Sequence, residues 1–378
     1  MAGHARPPRR AVQLLLAAGA VGAVVAAVAV TAVVRGDSQD AGPVPVRPNA
    51  GTVSGPPPTA GSSPATPAPP SGPTGGATAA GPLSGKAFYV DRSGAAARQV
   101  TTYEKAGRAA DARLIRRIAD QPAATWFGDA SSGSAARARA LVTAATRAGT
   151  VPVLTMYNIP HRDCAGHSRG GASSADAYRS YVATMAKALQ GHRAVVILEP
   201  DAVAQAVQGC LDAGRTAERF ALLAGAIETL RRNPGVIVYL DAGNPTWITD
   251  LAALAAALRR AGVQRSHGFA LNVANFETTA DNLTYGGALS RQLGGARFVV
   301  DTSRNGAGPA ARGSTSDGHW CNPAGRKLGE PPTTRTRHPL VDAYLWVKRP
   351  GESDGACGNG APPAGQWWAD YALGLARP

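Results

Sequence analysis

Residues 194–201 read Ala-Val-Val-Ile-Leu-Glu-Pro-Asp, an apolar run that stops abruptly at two carboxylates, Glu199 and Asp201. Consecutive β-branched and leucine side chains without polar alternation predict a strand buried on both faces. Such a strand delivers whatever follows it to the rim of a core. Two further acids occupy comparable places. Asp163 follows Val-Leu-Thr-Met-Tyr-Asn-Ile-Pro-His-Arg (153–162), and Asp354 follows Tyr-Leu-Trp-Val-Lys-Arg-Pro-Gly-Glu-Ser (344–353). Three carboxylates brought to one rim by separate strands suit acid/base work on a sugar bond.

Outward from this stretch, similar apolar runs recur at 88–90, 124–127, 151–157, 236–240, 268–273, 297–300 and 343–347. Most are separated by Ala/Arg/Leu-rich stretches of helical period, such as 176–190, 213–232 and 251–261, and Ser173 and Ser174 mark a helix start. Alternating strands and helices predict an α/β fold with a parallel sheet. Seven or eight strands in roughly 290 residues predict a distorted, TIM-like (β/α) barrel. Each run ends on its C-terminal side in chemistry: Trp126, Tyr157, Asp201, Asp241, Asn272 and Asn275, Asp301 and Arg304, Lys348 and Asp354. In a barrel that is the catalytic face. The last connection, residues 302–342, is Gly/Pro-rich with no helical pattern, and loops of that length are usually functional.

The rest of the chain divides by composition. Residues 1–35 pair a basic start with an uncharged run, 11–34, of about 36 Å as a helix, enough to cross a hydrocarbon core. It reads as a signal peptide, with Ala27-Val28-Ala29 as a small-x-small site, or as a signal anchor tethering the protein to the outer face of a membrane. Residues 36–84 are Pro, Gly, Ser, Thr and Ala, a linker that cannot bury enough surface to offset its ordering entropy. Residues 85–378 form the catalytic domain, expected to be monomeric and to need no cofactor. The net charge is +14, but the arginines are scattered over helical stretches without a nucleic-acid-binding motif. A solvated Arg-rich surface is the plain reading.

Four cysteines, Cys164, Cys210, Cys321 and Cys357, allow three connectivities. After export they are expected to be oxidised. The sequential pairing closes loops of about 40 residues, each contributing on the order of 4 kcal/mol in the chain-entropy model. No pair has the short ligand spacing of a zinc site, and His161 and His167 beside Asp163 do not supply one, so no metal is expected.

Six segments in order resemble glycoside hydrolase family six, the cellulases that include endoglucanases and cellobiohydrolases: 157–171, 196–204, 240–244, 272–276, 320–322 and 347–355. The likeness covers about 86–378 and implies an inverting hydrolase of β-1,4-glucan. By that resemblance Asp201 is the general acid, and Asp163 is a neighbouring carboxylate that raises its pKa and stabilises positive charge on the ring. Two close carboxyls cannot both ionise cheaply, which agrees with that assignment. A Cys164–Cys210 bridge would tie together the loops bearing the pair. Asp354 is the candidate base, with a water chain through Asp163 and Ser168 as the other route. Tyr157 resembles the tyrosine beneath the distorted sugar, and Trp126, Trp247 and Trp320 match sugar-stacking positions. Lys348 and Glu352 resemble partners of sugar hydroxyls, with Asn272 and Asn275 among the substrate contacts. Asn244 departs from the histidine common in fungal members. Trp367 and Trp368 read as packing residues.

The short interval between Cys321 and Cys357, and the lack of a large insertion after Asp163, favour an open cleft and endo action. The alternatives are an exo-acting cellobiohydrolase, with residues 302–317 folded over the cleft, and a catalytically silent carbohydrate-binding surface protein. The three acids argue against the second.

Overall fold

The computed structural model describes residues 80–164, 166–311, 319–358 and 360–378, all within the compact unit Gly72–Pro378. The expected export segment, almost all of the linker, and the part of the 302–317 loop from 312 onward lie outside the described residues.

Seven strands form one parallel sheet in sequence order: β1 (Thr125–Phe127), β2 (Val153–Met156), β3 (Ala194–Leu198), β4 (Val236–Asp241), β5 (Gly268–Leu271), β6 (Phe298–Asp301) and β7 (Val341–Leu345). Helices α1 (Ala95–Lys105) and α2 (Ala109–Ala119) precede the sheet. Between strands come α3 (Ser132–Arg147), α4 (Ala175–Leu189), α5 (Ala202–Val207), α6 (Ala213–Arg231), α7 (Leu251–Arg260) and α8 (Thr279–Gln292), and α9 (Ala369–Ala376) closes the chain. Helix starts are set by side-chain caps: Ser174 accepts from Ala177 N–H, Asp212 from Arg215, Asp250 from Ala252 and Ala253, and Thr278 from Asp281. Each cap satisfies orphan donors of the first turn and contributes about 1 kcal/mol.

The sheet is buried on both sides, which is why its strands carry no polar alternation. Val195 and Ile197 of β3 face an inner layer with Val153, Tyr239, Ala270, Val299, Ala343 and Leu345. Ala194, Val196 and Leu198 face the helices, among Tyr178, Met185, Leu223 and Ile227. Fully burying each large apolar side chain contributes about 1.5–3 kcal/mol.

Two details differ from the expected barrel. The run at 88–90 is not a strand but an isolated parallel bridge, Phe88 to Val151, at the foot of β2. Among the described residues no ladder joins β7 to β1, so the sheet curls without closing. Its ends are bonded through Ala124 N–H to the Trp346 carbonyl (2.9 Å) and Trp126 Nε1 to the Val347 carbonyl (2.8 Å). β1 has three residues and Pro122, which has no N–H to donate, precedes it, leaving little backbone for a second ladder.

Candidate active site

The Glu-Pro-Asp turn after β3 aims Asp201. Glu199 and Asp201 both have left-handed backbone, φ 47° and 70°, a strained choice for residues with a Cβ. Hydrogen bonds hold the turn: Glu199 N–H to the Met156 carbonyl (2.8 Å), Ala202 N–H to Glu199 (3.2 Å), and Asp201 N–H to Asp241 Oδ1 (2.9 Å). The half-buried Asp201 carboxyl lies 3.4 Å from the Tyr157 hydroxyl, which donates to it. Burial first, then the negative charges of Asp241 and Asp163, push Asp201 well above the usual carboxylate range, with the Tyr157 hydrogen bond opposing. A carboxyl in that setting keeps its proton toward neutral pH.

Asp163 sits in a loop with equally unusual backbone, φ being positive at His161, Asp163 and Cys164. Asp163 Oδ2 accepts from Ser168 N–H (2.6 Å) and Oδ1 from Gln205 Nε2 (3.3 Å). Gln205 lies on α5, one turn beyond Asp201, whose carbonyl accepts its N–H (2.9 Å), so one residue spans both acids. Gly171 is required below the loop: its φ is 94°, and a Cβ there would lie 1.8 Å from the Ile159 carbonyl oxygen. Cys164 and Cys210 are joined, as are Cys321 and Cys357, giving the sequential pairing.

Asp354 arrives from the far side, after β7. Oδ2 accepts from Arg304 Nη1 (2.8 Å) and Asn322 N–H (3.0 Å), while Lys348 Nζ lies 3.0 Å from Oδ1. Burial alone would raise this carboxyl, but the Arg304 and Lys348 charges outweigh it and hold Asp354 below the ordinary value. It is a fixed anion. The loops of the trio meet directly: a Cβ on Gly355 would lie 2.5 Å from His167 of the Asp163 loop, and the His167 ring sits 6.2 Å from that of Trp320.

The other expected residues divide. Tyr157 packs edge-on to Trp126, centroids 5.4 Å apart, beside Asp201. Trp320 is 38% exposed, an open aromatic face. Trp247 is half-buried, its Nε1 donating to Gln208 beyond α5 (3.1 Å), and Asn244 holds its N–H (3.1 Å). Lys348 is buried, bonded to the Ser353 carbonyl (2.9 Å) and paired with Asp354. Asn275 is half-buried and bonds back to the Val273 carbonyl (3.1 Å). Asn272 does not reach the rim surface. It is 0% exposed, and its amide is spent on the carbonyls of Asp301 (2.8 Å) and Glu277 (3.2 Å) and on Glu277 N–H (3.0 Å). Its backbone is left-handed, φ 65°, and its side chain ties the ends of β5 and β6 together. Glu352 pairs with Arg349 (3.1 Å) and lines a hollow with the start of α1, Thr125 and Trp367, to which none of the three acids contributes.

Two acids outside the expected trio matter to it. Asp241, ending β4, takes the Asp201 N–H, and burial pushes its carboxyl up to about 7. Asp301, ending β6, accepts from Ala274, Ser303, Val347 and Lys348 N–H groups and ties the β6 rim to β7. Their place at the ends of apolar runs was the available signal.

A family model described as Glycosyl hydrolases family 6 matches residues 83–378. Endoglucanase A of Cellulomonas fimi is 43% identical over 298 residues, covering 78% of this chain and 62% of that protein. Endoglucanase 1 of Streptomyces halstedii is 43% identical over 293 residues, covering 75% of this chain and 87% of that one. Among solved structures, the endoglucanase of Mycobacterium tuberculosis in complex with methyl-cellobiosyl-4-deoxy-4-thio-β-D-cellobioside aligns with TM-score 0.73 and 43% identity, over 78% of this chain and 98% of that chain. The cellobiohydrolase core domain from Chaetomium thermophilum aligns with TM-score 0.68 and 27% identity, over 79% and 98%. With the family model spanning the whole sheet and every acid of the rim, the chain belongs to glycosyl hydrolase family 6.

Proposed function

We propose that residues 83–378 hydrolyse internal β-1,4-glucosidic bonds of a glucan with inversion at the anomeric carbon. One observation carries the reading: Asp201, buried beside the acids Asp241 and Asp163 so that its carboxyl is held well above the usual carboxylate range, stands at the strand-end rim and is bridged through Gln205 to Asp163. Asp201 gives its proton to the glycosidic oxygen as the bond to the anomeric carbon breaks. Water then adds to that carbon from the opposite face and loses a proton. Asp354 is a poor acceptor for it, because Arg304 and Lys348 already hold its charge. Asp163, whose partners are one N–H and one amide, is the better sink, with Ser168 beside it. Asp163 also faces the positive charge that grows on the ring.

Tyr157 and Trp126 form the aromatic floor near the acid, and Trp320 and Trp247 extend it. Endo action is supported by the two 43%-identical relatives named endoglucanases and by the exposed Trp320 face. An exo mode would require a roof over the rim, for which residues 302–317 are the candidate. For the remainder of the chain, residues 1–35 act as an export signal or anchor and the linker up to residue 82 as a tether, Leu83 already being buried in the inner core layer, and the enzyme works outside the cell.

Asp201→Asn tests the chemistry. Hydrolysis of a soluble β-1,4-glucan is expected to fall by about 10²–10⁴-fold while glucan binding persists. Unchanged turnover would remove Asp201 as the acid. Rapid viscosity loss relative to reducing ends identifies endo cutting, and a slow decline with steady cellobiose release identifies the exo mode.

A further inference from the structure

The loop carrying Asp163 and the turn carrying Asp201 are fastened by two buried ionisable side chains that the reaction does not use, Arg219 and Glu199, whose carboxyl burial pushes up to about 7. Glu199 is 0% exposed and lies two residues before Asp201. Its carboxylate accepts the Asn158 N–H at 3.0 and 2.9 Å and the Ile159 N–H at 2.9 Å. Arg219, 2% exposed on α6, donates from Nη2 to the carbonyls of Pro160 (3.0 Å) and His161 (2.8 Å). Its Nη1 donates to the carbonyl of Ala202 (3.2 Å), the residue after Asp201. Four successive residues, 158–161, are thus gripped by their N–H groups on one side and their carbonyls on the other.

Burying an arginine, and a glutamate whose carboxyl is pushed up to about 7 by that burial, costs several kcal/mol, whereas apolar side chains would cover the same loop more cheaply. What charged groups add is direction: a guanidinium fork fixes three carbonyls in space, and a carboxylate fixes two N–H vectors. The loop needs that, because positive φ at His161, Asp163 and Cys164 is backbone that does not hold itself. The Cys164–Cys210 bridge restrains the tip, beyond Asp163, and leaves the stem at 158–161 to these two residues.

We propose that Glu199 and Arg219 are positioning residues: together they set the placement of Asp163 relative to Asp201, and so the rate of bond breaking, without touching the sugar. The proposal rests on reading Asp201 as the acid and Asp163 as its partner.

The experiment compares Glu199→Gln, Arg219→Lys and Arg219→Met in the full chain. Readouts are kcat and KM on a soluble β-1,4-glucan, the pH–rate profile, and the folded fraction by circular dichroism. Per folded molecule, kcat is expected to fall 10- to 100-fold in Arg219→Met and Glu199→Gln, as for a misplacement of about 1 Å, with KM changed less than about twofold. The alkaline limb is expected to move to lower pH, since Asp163 no longer sits where its charge raises Asp201. Arg219→Lys, which keeps the charge but not the fork, falls between and secures the test should Arg219→Met fail to fold. Lowered melting temperatures with wild-type kcat and an unmoved limb in the folded variants would overturn the proposal, as would a rise in KM alone. Asp201→Asn separates the two readings. If it retains turnover, the acid assignment fails. If it is inactive while Glu199→Gln and Arg219→Lys match the wild type, only the positioning role fails.

Discussion

Replacing Asp241 with asparagine is expected to shift the alkaline limb of the pH–rate profile toward acid by about one unit, leaving the plateau near its wild-type height. Asp241 Oδ1 accepts the N–H groups of Asp201 (2.9 Å) and Gly243 (3.1 Å), and an asparagine oxygen can accept both. The substitution therefore removes charge and spares geometry. With its carboxyl pushed up to about 7 by burial, Asp241 is roughly half ionised at neutral pH. Taking about 6 Å, the outer end of the range over which a like charge shifts a carboxyl, at an effective dielectric near 20 gives a repulsion of roughly 3 kcal/mol, or about two pH units. Half ionisation of Asp241, and water reaching the half-buried Asp201, reduce this to about one unit. The sign follows from the acid's role. As the proposed acid, Asp201 works protonated, and losing a neighbouring negative charge lowers its pKa, so the active fraction disappears at lower pH. Hydrolysis rates across about pH 4 to 9 measure the limb. A limb that stays put, or moves to higher pH, refutes the coupling. A rate reduced equally at every pH shows instead that position 241 acts through geometry.

Asp354→Asn leaves Arg304, itself completely buried, without its counter-ion, and is expected to cost about 3–5 kcal/mol in urea unfolding. The folded pKa of Asp354 is depressed, so its stabilisation is present above about pH 4 and is lost as pH falls through the folded value; the gap between wild type and variant is expected to narrow there. Trp320→Ala removes an exposed aromatic face and is expected to raise KM for long glucans about 3- to 10-fold with kcat unchanged, as steady-state kinetics would report. Cys357→Ser opens the bridge to Cys321, a separation of 36 residues. Chain entropy puts the cost at about 4 kcal/mol, measured by denaturant unfolding under oxidising conditions.

What could be read from the chain alone follows from how local each signal is. β3 spans Ala194–Leu198, as read, because Arg193 and Glu199 bracket an unbroken apolar run. α6 spans Ala213–Arg231, with Asp212 as its cap, within one residue of the periodic stretch. The run at 88–90 fell short because pairing depends on a neighbour elsewhere in the chain, and only Val151 is available to it. The three acids were visible because each stands shortly after an apolar run. Asn272 stands in the same place, but its amide is bonded to the carbonyls of Asp301 and Glu277, partners that its position after a strand does not reveal. Glu352 turned to Arg349, three residues back, a choice sequence spacing does not reveal. Asp241 was legible as a rim residue, but its bond to Asp201 spans 40 residues. Arg219 looked like any arginine on an Arg-rich helix. The signal was there in its spacing: Leu222, Leu223 and Ala226 lie three, four and seven positions on, so it shares their buried face.

The order of the sheet has a consequence for how the molecule is made. Strands follow one another across it as they do along the chain, so a polypeptide emerging N-terminus first can lay each new strand on the one before, at modest loop-closure cost. The bond from Trp126 to the Val347 carbonyl bridges 221 positions and forms only once nearly the whole chain has emerged. Asp354 and its basic partners Arg304 and Lys348 come together at that same final step. Emerging chains therefore acquire a layered core well before the proposed rim is complete, and truncation near the C-terminus is expected to strike turnover before it strikes the bulk of the packing.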